Sequence, residues 1–465
     1  MQLSRQRTVA DVLSVSPSSA QNSDLQLQDG SRIAVIGGGP AGSFFSYFLL
    51  KLAAAIDLRL DVDIYEPRSF ARCGPAGCNH CGGIVSESLV QILAAEGINL
   101  PAHVVQSGIQ SYVVHMDVGS VNIASPAREQ RIAALYRGNG PRGGGDIPGG
   151  SFDGFLQGLA EQRGARVVRK LVTGLSWKDG YPRLREPDGT ETPYDLVTVA
   201  SGVNSNFLGL LDGFPSPPGQ PRTTRTYICE FRSSREEIER VLGNSMHVFL
   251  LDIPRLEFAA LIPKGDFVTM CMLGDDLDQE LVHAFLRSPV VQACFPTTET
   301  PSVCSCSPLI NMGGMTQPFA DRLLLVGDSG VTRLYKDGIG AAFRTSKAAA
   351  VAAVLHGISK DSFQRHYWPA CKAIASDNAI GKVIFGTTTV FKHSRVSRRA
   401  ILRMTRREQT YAGTGRMSSV LWNMFTGSAP YREIFMGTIH PAFVGGLLWN
   451  LAIGLWPGSG EDQVA

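Results

Sequence analysis

An unbroken apolar run at residues 33–36 drops into a cluster of glycines, and a long uncharged stretch follows to residue 50. That order predicts a buried strand, a tight turn and a helix. A second apolar strand at 62–65 ends in Glu66. Residues 86–96 have helical spacing behind Ser86, with Gly97 at the stop. Apolar positions alternate through 110–124, as at Tyr112, Val114 and Met116, which predicts strands. The glycine-rich stretch 138–150 is a loop. Residues 152–163 predict a helix that passes through Gly164 to a strand at 166–169, and the turns at Asp179-Gly180 and Asp188-Gly189 mark a hairpin-like pair. A further buried strand, 195–200, ends in Ser201-Gly202-Val203-Asn204-Ser205.

Residues 223–275 read as strands interrupted by one charged helix at 234–241, with a hairpin at 258–266. At 322–328 the pattern reverts to strand and loop, and Lys336-Asp337-Gly338-Ile339-Gly340 opens a helix of small apolar residues reaching Ala353. Beyond residue 361 the chain reads as helical. It carries a basic run (Lys392, Arg395, Arg398, Arg399, Arg403, Arg406, Arg407) and then no charge from Pro441 to Pro457, a stretch that includes Trp449 and Trp456. The expected organisation is a discontinuous α/β nucleotide-binding domain (32–106, 150–206 and 309–360) with an inserted mixed β-sheet substrate domain (107–149 and 207–308). A disordered polar arm (1–31) precedes them and a helical region (361–465) follows.

The chain's 465 residues suffice for two or three domains, and a net charge of +3 is too small to argue for a nucleic-acid partner. Nine cysteines in so long a chain do not make a disulfide scaffold, so a reducing compartment is expected. Residues 1–30 lack the apolar core of a secretory signal, and Asp11, Asp24 and Asp29 argue against a transit peptide. No run reaches the roughly 18 apolar residues of a membrane span. A basic and then apolar tail fits docking on an anionic membrane surface, or a buried helical cap on the nucleotide domain. The expected location is the cytoplasm, with peripheral attachment to the inner membrane face.

Gly37, Gly39 and Gly42 form G-x-G-x-x-G between strand and helix: one glycine for the turn, one for close approach of a pyrophosphate, one for helix–strand packing. Glu66 at the end of the second strand is placed to hydrogen-bond a ribose hydroxyl. With residues 195–205 and Gly327-Asp328, this set resembles the Rossmann-like FAD-binding fold of the glutathione reductase and p-hydroxybenzoate hydroxylase type. The resemblance implies FAD, with Asp328 on a ribityl hydroxyl and the backbone of Gly338, Ile339 and Gly340 facing the flavin pyrimidine. Cys81-Gly82-Gly83 is similar to the C-G-G motif of geranylgeranyl reductases. That likeness implies a cysteine, Cys81, beside flavin and substrate, and reduction of isoprenoid C=C bonds by hydride from reduced FAD. Tyr335 and Lys336, just ahead of the flavin-facing helix, are candidates to donate a proton or shape the pocket.

The sequence departs from that family at 258–264, where Ala260 stands in place of a tryptophan, opening the pocket. Cys73, Cys78, His80 and Cys81 are richer in ligands than the family needs: the three thiolates, with His80, Cys304 or Cys306 as a fourth ligand, could hold zinc or an iron–sulfur centre; the reading without metal is one active-site cysteine with two incidental thiols. His247, His356 and His440 read as isolated core or surface residues. The implied partners are a lipophilic small molecule and an electron donor, NAD(P)H or a ferredoxin-type carrier. The competing functions are an FAD monooxygenase of an aromatic or lipid substrate, an electron-transfer flavoprotein to quinone, and a flavin-binding scaffold.

Overall fold

The computed structural model describes residues 25–74, 81–126, 132–144, 150–211, 221–295, 302–410 and 415–455. β1 (Ser31–Ile36) leads into α1 (Pro40–Ala55) and β2 (Leu60–Tyr65). β3 (Ile84–Val85) and α2 (Glu87–Ala95) precede β4 (Val105–Ile109), β5 (Ser111–Met116), β6 (Gly119–Ala124) and β7 (Ile132–Leu135). Then come α3 (Phe152–Glu161), β8 (Arg166–Val168), the meander β9 (Gly174–Lys178), β10 (Tyr181–Arg185) and β11 (Glu191–Pro193), and β12 (Leu196–Val199).

The middle of the chain holds β13 (Arg222–Arg232), α4 (Arg235–Val241), β14 (Ser245–Phe249), β15 (Leu256–Lys264) and β16 (Phe267–Gly274). It continues with α5 (Gln279–Leu286), α6 (Pro289–Gln292), β17 (Ser302–Cys306) and β18 (Leu309–Gly313). β19 (Phe319–Ala320), β20 (Leu323–Leu325) and α7 (Gly338–Leu355) follow. The rest is helical: α8 (Lys360–His366), α9 (Trp368–His393), α10 (Arg395–Thr410), α11 (Arg416–Thr426), α12 (Tyr431–Thr438) and α13 (Pro441–Leu455).

The first sheet has the order β19-β20-β12-β1-β2-β8, parallel except for β19. Ile33 pairs with Leu196 on one side and Val62 on the other; α1 and α7 cover one face of the sheet and the β9–β11 meander with residues 207–211 the other, so β1 is apolar without alternation. α1 and α7 pack together, Phe44 and Phe48 meeting Phe343 edge-on at 5.5 and 5.3 Å. The buried Glu96 clamps Lys51 (3.1 Å) on α1 and Lys347 (2.7 Å) on α7.

The large sheet runs β17-β13-β16-β15-β14-β5-β6, with β18 also on β13. Its two faces divide the labour. Tyr112, Val114, Met246 and Val248 sink into a core shared with Leu421, Trp422 and Phe425 of α11. Phe249 faces the other way, into the core under α4–α6 with Ile238, Phe285 and Val291. Two contacts dock the C-terminal helices: Trp422 Nε1 donates to Glu87 (3.0 Å), and the buried Arg333 donates to the carbonyls of Gly427 and Ala429.

Four expectations need correction. The arm is ordered from Leu25: Leu25 and Leu27 pack on the core, and the Leu25 carbonyl accepts from Ile358 N at 2.8 Å. Residues 1–24 lie outside the described residues. β7, assigned to the substrate domain, pairs with β3 and β4 in a small sheet, while β18, assigned to the nucleotide domain, pairs with β13. The basic run, expected to dock on an anionic surface or to belong to a buried cap, does not face outward throughout. Lys392 is buried on the Leu256 carbonyl, and Arg398 is buried on the Lys392 carbonyl, Asp252 and Asp117, so these two cations dock helices rather than face solvent. Finally, His247 and His356 are not isolated, since each stacks on another histidine, His115 and His366.

Candidate active site

The glycines after β1 are fixed by what lies against them. Gly37 sits at φ +106°, and a Cβ there would stand 2.5 Å from the Ala200 carbonyl. At Gly42 a Cβ would meet the Gly37 carbonyl at 1.9 Å, so α1 can approach β1 only without a side chain. Gly39 is the N-cap of α1 and no side chain caps the helix, whose start lines a cavity through Gly39, Pro40 and Ala41. An uncapped helix N-terminus is a site for anionic phosphate. Glu66 is buried at the same cavity; its carboxylate accepts from Gly38 N (3.0 Å) and pairs with Arg68 (3.2 Å).

Two further turns close the site. Gly202 N donates to Ser329 Oγ (2.8 Å), tying the end of β12 to the turn after β20. Gly327, at φ +60°, places its hydrogen atoms where a Cβ would be 2.7 Å from Ala41 Cβ, so the Gly-Asp turn presses on the start of α1. Asp328 lines the cavity; burial raises its pKa, while Thr332 and the Arg137 guanidinium pull it down.

Ahead of α7, Tyr335 and Asp337 both adopt left-handed backbone (φ +59° and +57°), at a cost on the order of 1–2 kcal/mol for the tyrosine. Asp337 repays its conformation by capping α7. Its Oδ1 accepts from Gly340 N (3.1 Å) and its Oδ2 pairs with Arg344 (2.7 Å). The expected flavin-facing backbone is therefore split: Gly338 and Ile339 line the cavity, whereas the N–H of Gly340 is taken by the cap.

The same cavity, about 350 Å³, continues to Cys81, Gly82 and Gly83. Gly83 sits at φ +68° with the Leu135 carbonyl 1.8 Å from a would-be Cβ, and Gly82 lies against Cys271 Sγ at 2.9 Å by the same measure. Cys81 Sγ accepts from Gly83 N (3.3 Å). Beyond them the walls are apolar: Ile84, Ile228, Met246, Phe258, Ala260 and Ile262. Lys336 Nζ lies 3.9 Å from the centre of the Phe258 ring, and desolvation pulls its pKa down to about 8. Tyr335 meets Phe385 edge-on at 4.7 Å, and burial pushes its phenol up. Tyr335 and Lys336 also line a second cavity, about 230 Å³, that extends to Phe385 and Thr389 on α9.

Two residues escaped the sequence reading. Arg137, directly after β7, lines the cavity and binds the fully buried Asp153 (2.8 Å), with its guanidinium 3.1 Å from where a Cβ on Gly39 would stand. Lys264 is buried with Nζ 4.4 Å from the Tyr136 ring centre, behind Gly83. Of the sulfur-rich cluster, Cys78 and His80 lie outside the described residues. Cys73 Sγ donates to the Asn139 carbonyl (3.0 Å), and Cys304 and Cys306 sit on β17 in the large sheet.

No family model matches the chain, and no curated protein matches it. Its fold is matched by solved structures. A geranylgeranyl bacteriochlorophyll reductase-like protein from Thermoplasma acidophilum is 16% identical, covering 88% of this chain and 99% of its own at a TM-score of 0.64. The halogenase PltM in complex with phloroglucinol and FAD is 13% identical (92% and 97% covered, TM-score 0.59). The p-nitrophenol 4-monooxygenase PnpA from Pseudomonas putida is 11% identical (87% and 99%, TM-score 0.58). The chain thus has the α/β fold of FAD-binding flavoproteins, completed by a helical C-terminal region.

Proposed function

We propose that this flavoprotein fold carries FAD and reduces C=C bonds of a lipophilic, isoprenoid-type substrate. The observation that carries the reading is that Cys81 lines one cavity with Asp328 and Gly338 on one side and an apolar floor on the other. FAD fits the residues present. The glycines at 37 and 42 leave no room for side chains of their own, α1 starts without a cap, and Glu66 and Arg137 border that start. Bound and reduced, the cofactor supplies a hydride to one alkene carbon.

The chain's own residues supply the rest. Ile84, Met246, Ala260 and Ile262 exclude water from the double bond and bind the hydrocarbon. The second carbon takes a proton from a group on the cavity wall, and we assign that role to the Cys81 thiol. Lys336, with a pKa near 8, holds a proton close by, and Tyr335 shapes the passage toward α9. NAD(P)H or a ferredoxin-type carrier returns the electrons.

The test is anaerobic. Reduced enzyme mixed with prenyl lipids, quinones or carotenoid precursors should show flavin reoxidation with at least one, and Cys81→Ser should keep the flavin but slow that step. No reoxidation with any of them overturns the reading. A second reading, hydroxylation, is favoured by the fold shared with the nitrophenol monooxygenase; substrate-stimulated NAD(P)H oxidation with matching oxygen uptake would select it.

The tail adds a location. No single described helix is long and apolar enough to span a membrane; α12 and α13, bent by 61°, pass by length and composition only as a pair. Met436, Ile439, Leu448 and Trp449 are all at least half exposed there, and Arg395, Arg406 and Arg407 are exposed on α10, which packs on α13. We propose that this face rests on an anionic lipid surface and delivers substrate from it.

A further inference from the structure

On the face of the large sheet away from the cavity, two histidines and a cysteine from distant parts of the chain converge. His115 (β5), His247 (β14) and Cys294 (just after α6) are all buried, and their ligand atoms lie within 4.8 Å of one another. His115 Nε2 is 2.9 Å from His247 Nδ1 and 3.6 Å from Cys294 Sγ. The sheet register makes the convergence rigid. β5 and β14 are parallel, with Phe249 opposite His115 and Val113 opposite His247, so the two rings share one face and stack. Phe249 covers His115 at 4.7 Å between ring centres, walling the group off.

The outer nitrogens are already held. His247 Nε2 faces the Leu242 carbonyl at 3.4 Å; a carbonyl only accepts, so that nitrogen carries the hydrogen and Nδ1 presents its lone pair inward. His115 Nε2 then donates to His247 Nδ1 at 2.9 Å in the metal-free pair; when a metal takes that place the ring's hydrogen moves to Nδ1, where the Ser120 hydroxyl, 2.7 Å away, can turn to accept it. Outer hydrogen bonds that aim the remaining nitrogen at one point are the arrangement of metal-binding histidines. From this geometry we propose that His115, His247 and Cys294 bind a single soft d10 metal ion, Cu(I) or Zn(II), that staples the α5–α6 layer to the large sheet.

Metal–nitrogen bonds of about 2.0 Å and a metal–sulfur bond of about 2.3 Å separate the ligand atoms by roughly 3.3–3.6 Å. The spacing of Cys294 Sγ from His115 Nε2 already matches, the imidazole nitrogens need to part by about 0.4 Å, and the sulfur, within 4.8 Å of His247 Nδ1, has to settle at a similar distance from it. No carboxylate belongs to the group. One thiolate balances a monovalent ion, whereas a divalent ion would leave a buried positive charge, and three ligands suit trigonal Cu(I). Charge and ligand number therefore rank Cu(I) first, with Zn(II) requiring a fourth ligand.

The experiment uses the full chain, purified anaerobically under reductant and then loaded separately with buffered Cu(I) and with Zn(II). The expected result is one ion retained per chain through gel filtration for at least one metal, a raised unfolding temperature, and an X-ray absorption signature of two imidazole nitrogens and one sulfur. Cys294→Ser should weaken retention at least tenfold and remove the sulfur signal, while Cys73→Ser should change neither. Should Cys294→Ser fail to fold, the absorption signature of the loaded parent decides. No retained ion on folded protein, retention undiminished in Cys294→Ser, or a shell with more than one sulfur overturns the proposal and leaves a hydrogen-bonded histidine pair.

Discussion

Replacing Gly42 with alanine tests whether the β1–α1 turn is built by packing or merely tolerates glycine. The added carbon would lie 1.9 Å from the Gly37 carbonyl oxygen and 3.1 Å from Val35 Cγ1. Ordinary contact begins near 3.4 Å, so the helix must slide away from the strand by more than an ångström or the turn must open. Overpacking of this kind costs about 1–3 kcal/mol. Alanine in a helix returns up to about 1 kcal/mol of propensity, which works against the effect. Gly158 on α3 isolates that return, because a Cβ there meets nothing within 4 Å. Gly158→Ala should therefore be neutral or stabilising, and Gly42→Ala should fall below it by about 2 kcal/mol or more. Urea unfolding of the flavin-free chain measures this difference, and quenching of FAD fluorescence measures affinity, which should drop at least tenfold for Gly42→Ala alone. Two variants with equal midpoints and equal FAD affinity would falsify the packing argument.

Arg137→Ala strands the buried Asp153 and should cost about 3–5 kcal/mol in thermal unfolding, with part recovered in the Arg137→Ala/Asp153→Ala double variant; strictly additive losses would contradict the pairing. Burial lowers the Lys336 pKa to about 8 from 10.5, so between those values the unfolded chain holds a proton the folded chain has released. Stability should accordingly rise with pH across that window and stay flat there in Lys336→Met, as read from urea midpoints. Asp337→Ala loses both the cap of α7 and a residue suited to positive φ, so it should melt below Asp337→Gly, which loses only the cap. In flotation with anionic vesicles the parent should rise with the lipid and Leu448→Glu/Trp449→Glu should stay in the dense fraction; a parent that does not float on anionic lipid contradicts docking.

Where the sequence was readable, the constraint was local. Gly37 and Gly42 are demanded by backbone atoms within a turn of themselves or on the neighbouring strand, and Ser86 and Ser234 announce helices they do cap. Asp337-Gly338 likewise announced α7, although the pattern did not show that Asp337 uses up one of the amides assigned to the flavin. Long-range polar pairs left no such trace. Arg137 is a lone basic residue after a strand, meaningful only once α3 brings Asp153 beside it. His115 and His247 stand 132 positions apart and meet because β5 and β14 pair in parallel, a join that alternation of apolar residues cannot reveal. The basic run left two readings open for the same reason: charge counted along the chain does not say that Lys392 and Arg398 turn inward.

The sheet that carries the glycine turn also sets a timetable for the growing polypeptide. β1 leaves the ribosome well ahead of its neighbour β12, which follows only with Leu196, and the strand beyond that ends at Leu325. In the interval β2 satisfies only one edge of this greasy ribbon and the other stays open, the condition in which nascent chains stick to one another. Translation that halts short of Leu325 would release a half-built sheet, so messages truncated there should yield inclusion bodies rather than a smaller soluble flavoprotein.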